Sequence, residues 1–209
     1  MNPVILCKQV SEELCKFIST EMRIMEGVIQ ELDPQSIRQE PEFGDSYNAY
    51  CPPCLEALSL TVKPIIEKLV HKELAPSYSY GRIYRPGARL NKHFDRRSSE
   101  FSVSICLEKG NTPWFLCADG PDSDNPLCAD LSVGDMLVYS GAKFSHWREG
   151  PYEGDEQIQA FIQYIDVNGE NADLIYDGRP KLGLPFGYKS QFVEEELQDQ
   201  LKLGSVLRS

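Results

Sequence analysis

Nothing in this sequence is long and apolar enough to cross a bilayer: no hydrophobic run approaches the ~20 residues that a spanning helix requires. Positive charge is also short, with a net charge of −11 at pH 7. That balance argues against a nucleic-acid backbone or an anionic membrane as the main partner, while leaving room for a locally basic pocket. The opening residues, Met1 to Lys8, carry no basic lead and too short an apolar stretch for a secretory signal. The chain is therefore expected to be intracellular, in the cytoplasm, with its seven cysteines as reduced thiols. Internal repeats and low-complexity segments are absent. Histidine is scarce, and the only three are His71, His93 and His146.

What is present is an ordinary globular composition, 41% hydrophobic and 25% charged over 209 residues, which suits one domain with a substantial core. Val4 to Leu6 reads as a short strand. Ser11 then caps a helix with acids in its first turn, and Leu14, Phe17, Ile18, Met22 and Met25 recur at helical spacing. Asp33 to Pro53 reads as loop. A second helix is expected from about Cys54 to Lys72, buried through Leu55, Leu58, Val62, Ile65, Ile66 and Leu69, with Pro64 kinking or splitting it.

From Ser77 the pattern shortens to strands: Ser77 to Tyr84, Phe101 to Leu107, Trp114 to Ala118, Cys128 to Leu131, Met136 to Tyr139 and Gln157 to Asp166. Polar turns separate them, as at Arg85-Pro86-Gly87 and Ser132-Val133-Gly134-Asp135. Such a series predicts a barrel or sandwich with the two helices outside one sheet. Residues 171 to 185 read as loop, and Ser190 to Lys202 as a helix with Phe192, Val193, Leu197 and Leu201 as its apolar set. One domain is expected over 1–209: mostly helical support at 1–76, a β core at 77–166 and a C-terminal extension at 167–209.

The chemistry concentrates in His93-Phe94-Asp95 and His146. On a strand, His93 and Asp95 share a face about 6–7 Å apart. Two imidazoles and one carboxylate can occupy three adjacent corners around a metal and leave the opposite corners open, an arrangement suited to non-haem Fe(II) and O₂.

Tyr84-Arg85-Pro86-Gly87, His93-Phe94-Asp95, a β-rich run ending at Leu107, Gly134-Asp135-Met136-Leu137 and then His146 resemble, in that order, the Fe(II)- and 2-oxoglutarate-dependent oxygenases. The similarity is greatest to the prolyl 4-hydroxylase-like branch and spans roughly residues 77 to 166, with a weaker match in the helices before it. It implies a double-stranded β-helix, or jelly roll: α+β with a mainly β core, N-terminal flanking helices and a C-terminal helix. It implies that His93, Asp95 and His146 bind Fe(II). 2-Oxoglutarate would chelate the metal through its keto oxygen and one carboxylate, O₂ would take the remaining position, and succinate and CO₂ would be released as an unactivated C–H bond is hydroxylated. Metal and cosubstrate apart, the implied partner is a prolyl residue in a peptide or protein, a free amino acid or another small molecule.

In the family pattern an Arg or Lys on the last core strand holds the distal carboxylate of 2-oxoglutarate, nine or ten residues after the second histidine. Here those positions are Asp155 and Glu156, and no basic residue lies between Arg148 and Asp166. Arg148 is the replacement favoured by the sequence, because it shares a face with His146 on an extended backbone and its planar fork matches a carboxylate. A surface salt bridge to Glu149 or Glu153 is its bland alternative. Arg82 is the runner-up, alternating with Tyr80 and Tyr84 on one face; Tyr84 stands where the family uses a tyrosine on this carboxylate. Gln157, Gln159 and Gln163 also share a face, either solvated or lining a polar pocket, where Gln159 would help to position the cosubstrate.

Arg96 to Glu100 are expected at the pocket rim, Trp147 as a shield beside the metal, Trp114 in the core, and residues 37 to 48, with Tyr47, as a lid. Other signals are weak. Cys51-Pro52-Pro53-Cys54 has no second pair at zinc-finger distance, and Asp119 to Asp130 lacks the glycine and glutamate of a calcium loop. Competing functions are a cupin-like metalloenzyme, which would need a further histidine, and a non-catalytic jelly-roll binding module.

Overall fold

A computed structural model describes residues 1–32, 46–121 and 125–184. The elements run β1 (Val4–Leu6), α1 (Glu12–Leu32), β2 (Ser46–Tyr50), α2 (Pro53–Val70), β3 (Leu74–Tyr84), β4 (Phe101–Glu108), β5 (Leu116–Ala118), β6 (Leu127–Ala129), β7 (Met136–Tyr139), β8 (His146–Arg148) and β9 (Gln157–Asp166), followed by a 3-10 segment, Ala172–Gly178. Two antiparallel sheets form, one ordered β1-β7-β4-β9-β3-β2 and the other β6-β5-β8. This is the expected mainly β jelly roll. The helix expected at Ser190 to Lys202 lies outside the described residues.

Strand alternation divides the major sheet into two unlike faces. Ile83, Val103, Ile105, Met136, Val138, Ile158, Ala160 and Ile162 point to the side covered by α1 and α2, where they meet Ile18, Met22, Leu55, Leu58, Val62 and Ile66 in one core. Gly81 makes the close approach possible: a Cβ there would lie 2.6 Å from Met22 Cε and 3.0 Å from Leu55 Cδ1.

The helices differ from their expected outlines in instructive ways. Ser11 Oγ accepts from the Leu14 amide at 3.3 Å, as a cap should. However, α1 turns Cys15, Ile18 and Met22 inward and leaves Phe17 exposed. Pro64 does not split α2, which runs on to Val70 with Pro64 exposed. His71 ends that helix in the left-handed region at φ 54°, so it is a cap residue and takes no part in the metal cluster.

One strand, β2, falls where the sequence reads as loop. β2 pairs with β3, placing Asn48 opposite Arg82 and Tyr50 opposite Tyr80. The expected lid therefore changes character. Residues 37–45 lie outside the described residues, and Tyr47 is buried in the helix-side core. A further departure concerns the thiols: Cys117 and Cys128, register partners on β5 and β6, are joined as a disulfide. The other five cysteines are free.

Candidate metal centre and cavity

β8 and the segment before β4 bring the three candidate ligands together. His93 and His146 form an isolated antiparallel bridge, with His93 N donating to His146 O at 3.1 Å and His146 N to His93 O at 3.0 Å. Asp95 N donates to Gly141 O at 3.0 Å, in the turn after β7. Asp95 Oδ1 then lies 3.7 Å from His93 Nε2 and 3.6 Å from His146 Nε2. All three ligand atoms fall within 4.8 Å of one another.

The surroundings prepare these groups as donors. His93 Nδ1 lies 2.7 Å from Asn91 O, which favours a proton on Nδ1 and leaves the Nε2 lone pair for a metal. Burial pushes His146 down to about 4, keeping its imidazole neutral, while Asp95 pulls the other way. Tyr139 packs on its ring at 4.8 Å between centroids. Asp95 Oδ2 is buried without a hydrogen-bond partner among the described residues. Two imidazole nitrogens and one carboxylate, joined by no further histidine, cysteine or acid among the described residues, fit an octahedral ion with open positions. The second such cluster, Cys117, Cys128 and Glu149, is closed by its disulfide.

The triad opens on a cavity of about 520 Å³, within the size range of small-molecule sites. Its walls come from the inner face of the major sheet (Asn48, Tyr50, Tyr78, Tyr80, Arg82, Tyr139, Phe161 and Gln163), joined by Leu90, Arg96 and the triad itself. Of the residues singled out in the sequence as cosubstrate contacts, Tyr80 and Arg82 are on this wall. Arg82 Nε donates to Asn48 Oδ1 at 2.6 Å, and its guanidinium lies 5.4 Å from the Tyr80 ring centre and 5.5 Å from that of Tyr84.

Arg148, Tyr84 and Gln159 sit behind the wall. Arg148 is 4% exposed, and burial lowers the pKa of its guanidinium. It donates to Trp114 O and, at 3.1 Å, to Gln159 Oε1, while its carbon centre lies 5.7 Å from the Tyr84 ring centre. It forms no salt bridge with Glu149 or Glu153 among the described residues, and its Nε, like Tyr84 Oη, is buried without a partner there. The two arginines thus flank Tyr84. Gln157, Gln159 and Gln163 are all buried on the inner face.

Arg96 reaches the cavity as a rim residue should, whereas Trp147 stands apart from it under Lys92 Nζ, 4.0 Å from the ring centre. Trp114 is a core residue, 4% exposed. Asn48, Tyr50, Tyr78, Tyr139 and Phe161 are wall residues that sequence reasoning missed. The alternation in Tyr78-Ser79-Tyr80-Gly81-Arg82 was the available signal for one of them.

The sequence matches no family model and no curated protein. The fold does find relatives among solved structures. A prolyl-4-hydroxylase from Pseudomonas putida superposes with a TM-score of 0.61 at 12% identity, covering 79% of this chain and 92% of that one. The carbocyclase SnoK of nogalamycin biosynthesis, described as non-haem and α-ketoglutarate-dependent, gives 0.62 at 14% identity and covers 90% of each chain. HygX from Streptomyces hygroscopicus, solved with nickel and 2-oxoglutarate, gives 0.59 at 12% identity, covering 80% and 83%. At these identities the likeness is one of fold, and the fold is the jelly roll of the Fe(II)- and 2-oxoglutarate-dependent oxygenases.

Proposed function

We propose that this protein is an Fe(II)- and 2-oxoglutarate-dependent oxygenase that hydroxylates an unactivated C–H bond and releases succinate and CO₂. The observation that carries the reading is the presence of His93, Asp95, His146 and a guanidinium, that of Arg82, on the walls of one cavity in this fold. His93, Asp95 and His146 would hold the ion. Bound iron supplies the activation of O₂ that no side chain can provide.

The protein's own work is positional. Asn91 and the desolvated setting of His146 keep both imidazoles in their ligating form. Arg82, steadied by Asn48, receives the distal carboxylate of 2-oxoglutarate from the cavity side. Arg148 adds positive charge from behind Tyr84, where a buried cation without a carboxylate partner among the described residues favours an incoming anion. A binding module that had lost turnover would have no reason to keep a carboxylate receptor beside the triad, and a cupin-type site would need a further histidine.

The test is anaerobic titration of the Fe(II)-loaded protein with 2-oxoglutarate, followed by succinate analysis in air. A visible charge-transfer band is expected, with succinate release abolished in His93→Ala and Asp95→Ala. Replacing Arg82 or Arg148 by Met should weaken 2-oxoglutarate binding tenfold or more, as loss of a charge-assisted hydrogen bond does. No band and no succinate from metal-loaded protein would refute the assignment.

A further inference from the structure

The minor sheet carries ligating side chains that the proposed reaction does not use. Strand alternation sends Leu116, Ala118 and His146 toward the other sheet, where the first two join an apolar cluster and the third lines the cavity. Cys117 points the opposite way. It is the register partner of Cys128 on β6 and of Trp147 on β8. Glu149 follows β8 directly and brings a carboxylate back to the two sulfurs. One of its oxygens and both Sγ atoms lie within 4.8 Å of one another.

The third group is well placed to serve. The Glu149 backbone is anchored, because its carbonyl accepts from the indole Nε1 of the core residue Trp114 at 3.2 Å. Its side chain is exposed and forms no ion pair among the described residues. The carboxylate is therefore open to a cation from solvent, while Cys117 beneath it is fully buried.

While the disulfide stands, its sulfurs are poor ligands. Reduction changes them. A dithiol reductant delivers two electrons and two protons, the Cys117–Cys128 bond breaks, and the reductant leaves as its own disulfide. Two thiols then face one carboxylate, and a divalent ion displaces a proton from each thiol as it binds. Two thiolates and a carboxylate suit Zn(II) in tetrahedral geometry, with water in the fourth position. The triad offers nitrogen and oxygen alone, so the two sites differ in the ion they prefer.

We propose that the reduced protein binds one zinc-like ion through Cys117, Cys128 and Glu149, and that this ion replaces the disulfide as the clasp of the minor sheet. The disulfide ties β5 to β6 only. The ion also ties in the end of β8, the strand whose His146 pairs with Ala118 of β5. This site goes beyond the oxygenase reading and stands without it.

The experiment uses Co(II), which substitutes for zinc and absorbs light where zinc does not. His93→Ala protein, with its triad disabled, is reduced by a dithiol, freed of it under argon and titrated beside the same protein with its disulfide intact. Reduced protein is expected to take up one Co(II) per chain and to show a thiolate-to-cobalt charge-transfer band, which donors of nitrogen and oxygen cannot give. Added Zn(II) should bleach the band, and disulfide-bonded protein should show none. Cys128→Ser should at least halve it, and Glu149→Gln should leave the fold intact while weakening Co(II) tenfold or more. An undiminished band in Cys128→Ser, which would place the ion on the other five thiols, would overturn the assignment. So would equal affinity in Glu149→Gln, or no band from reduced protein that still melts cooperatively. A reduced protein with no melting transition would overturn it too, because the site needs β5 and β6 paired.

Discussion

Gly141 shows how much the candidate metal centre asks of a residue outside the triad. A Cβ at this position would sit 2.5 Å from Asp95 Oδ2 and 2.5 Å from Ser102 Oγ, inside any normal contact. Its carbonyl meanwhile holds the Asp95 amide. Gly141→Ala is therefore expected to keep the fold but push the carboxylate aside, lowering Fe(II) affinity tenfold or more in a direct metal titration. At this scale the sequence was most legible for the triad, because strand alternation alone sets His93 and Asp95 on one side and few histidines compete. It was least legible for the arginines. Arg82 and Arg148 both lie within reach of Tyr84, and which of them meets open cavity depends on how far the sheets stand apart, a distance that no local pattern encodes.

Among the elements, the link between α2 and the 3-10 segment is a buried ion pair. Arg179 Nη2 lies 2.6 Å from Glu56 Oε1, with side chains 1% and 4% exposed, and Arg179 also donates to Ser77 O at 3.1 Å. Removing one partner strands the other charge, so Arg179→Ala should cost about 3–5 kcal/mol in urea unfolding. A milder device closes β9. Asp166 accepts from Lys72 and from the Asn168 amide, and these hold its carboxyl below the usual carboxylate range. A lowered folded pKa means the unfolded chain takes up the proton first, so this stabilisation is present above about pH 4 and fades as pH falls through the lower folded value. The stability gap between the unaltered protein and Asp166→Asn should therefore be larger at pH 7 than at pH 2.5. Strands with an apolar outer face, such as Met136–Tyr139 and Gln157–Asp166, were read with their observed limits. β2 was missed because its inward residues, Ser46, Asn48 and Tyr50, are polar or wet-tipped to serve a cavity, which erases the apolar alternation that marks a strand.

For the whole molecule, the larger apolar core lies between the major sheet and the helices, while the space between the two sheets holds a smaller apolar cluster, with Leu116, Ala118, Leu137 and Tyr139, beside the polar cavity. Ligands that bind only this closed arrangement stabilise it by mass action. Fe(II) with 2-oxoglutarate at 100 times its dissociation constant should add about 2.7 kcal/mol, or about 5–10 °C in melting temperature for a chain of this size. The gain should vanish in His93→Ala. The architecture also ties chemistry to the order of assembly. His93 and His146 are far apart along the chain, and their backbones meet only once β8 has docked against the strand-like run before β4. A nascent or half-collapsed polypeptide thus has no pre-formed nest for the ion. An ion taken up by this triad would arrive last, and would mark a molecule that has finished folding around it.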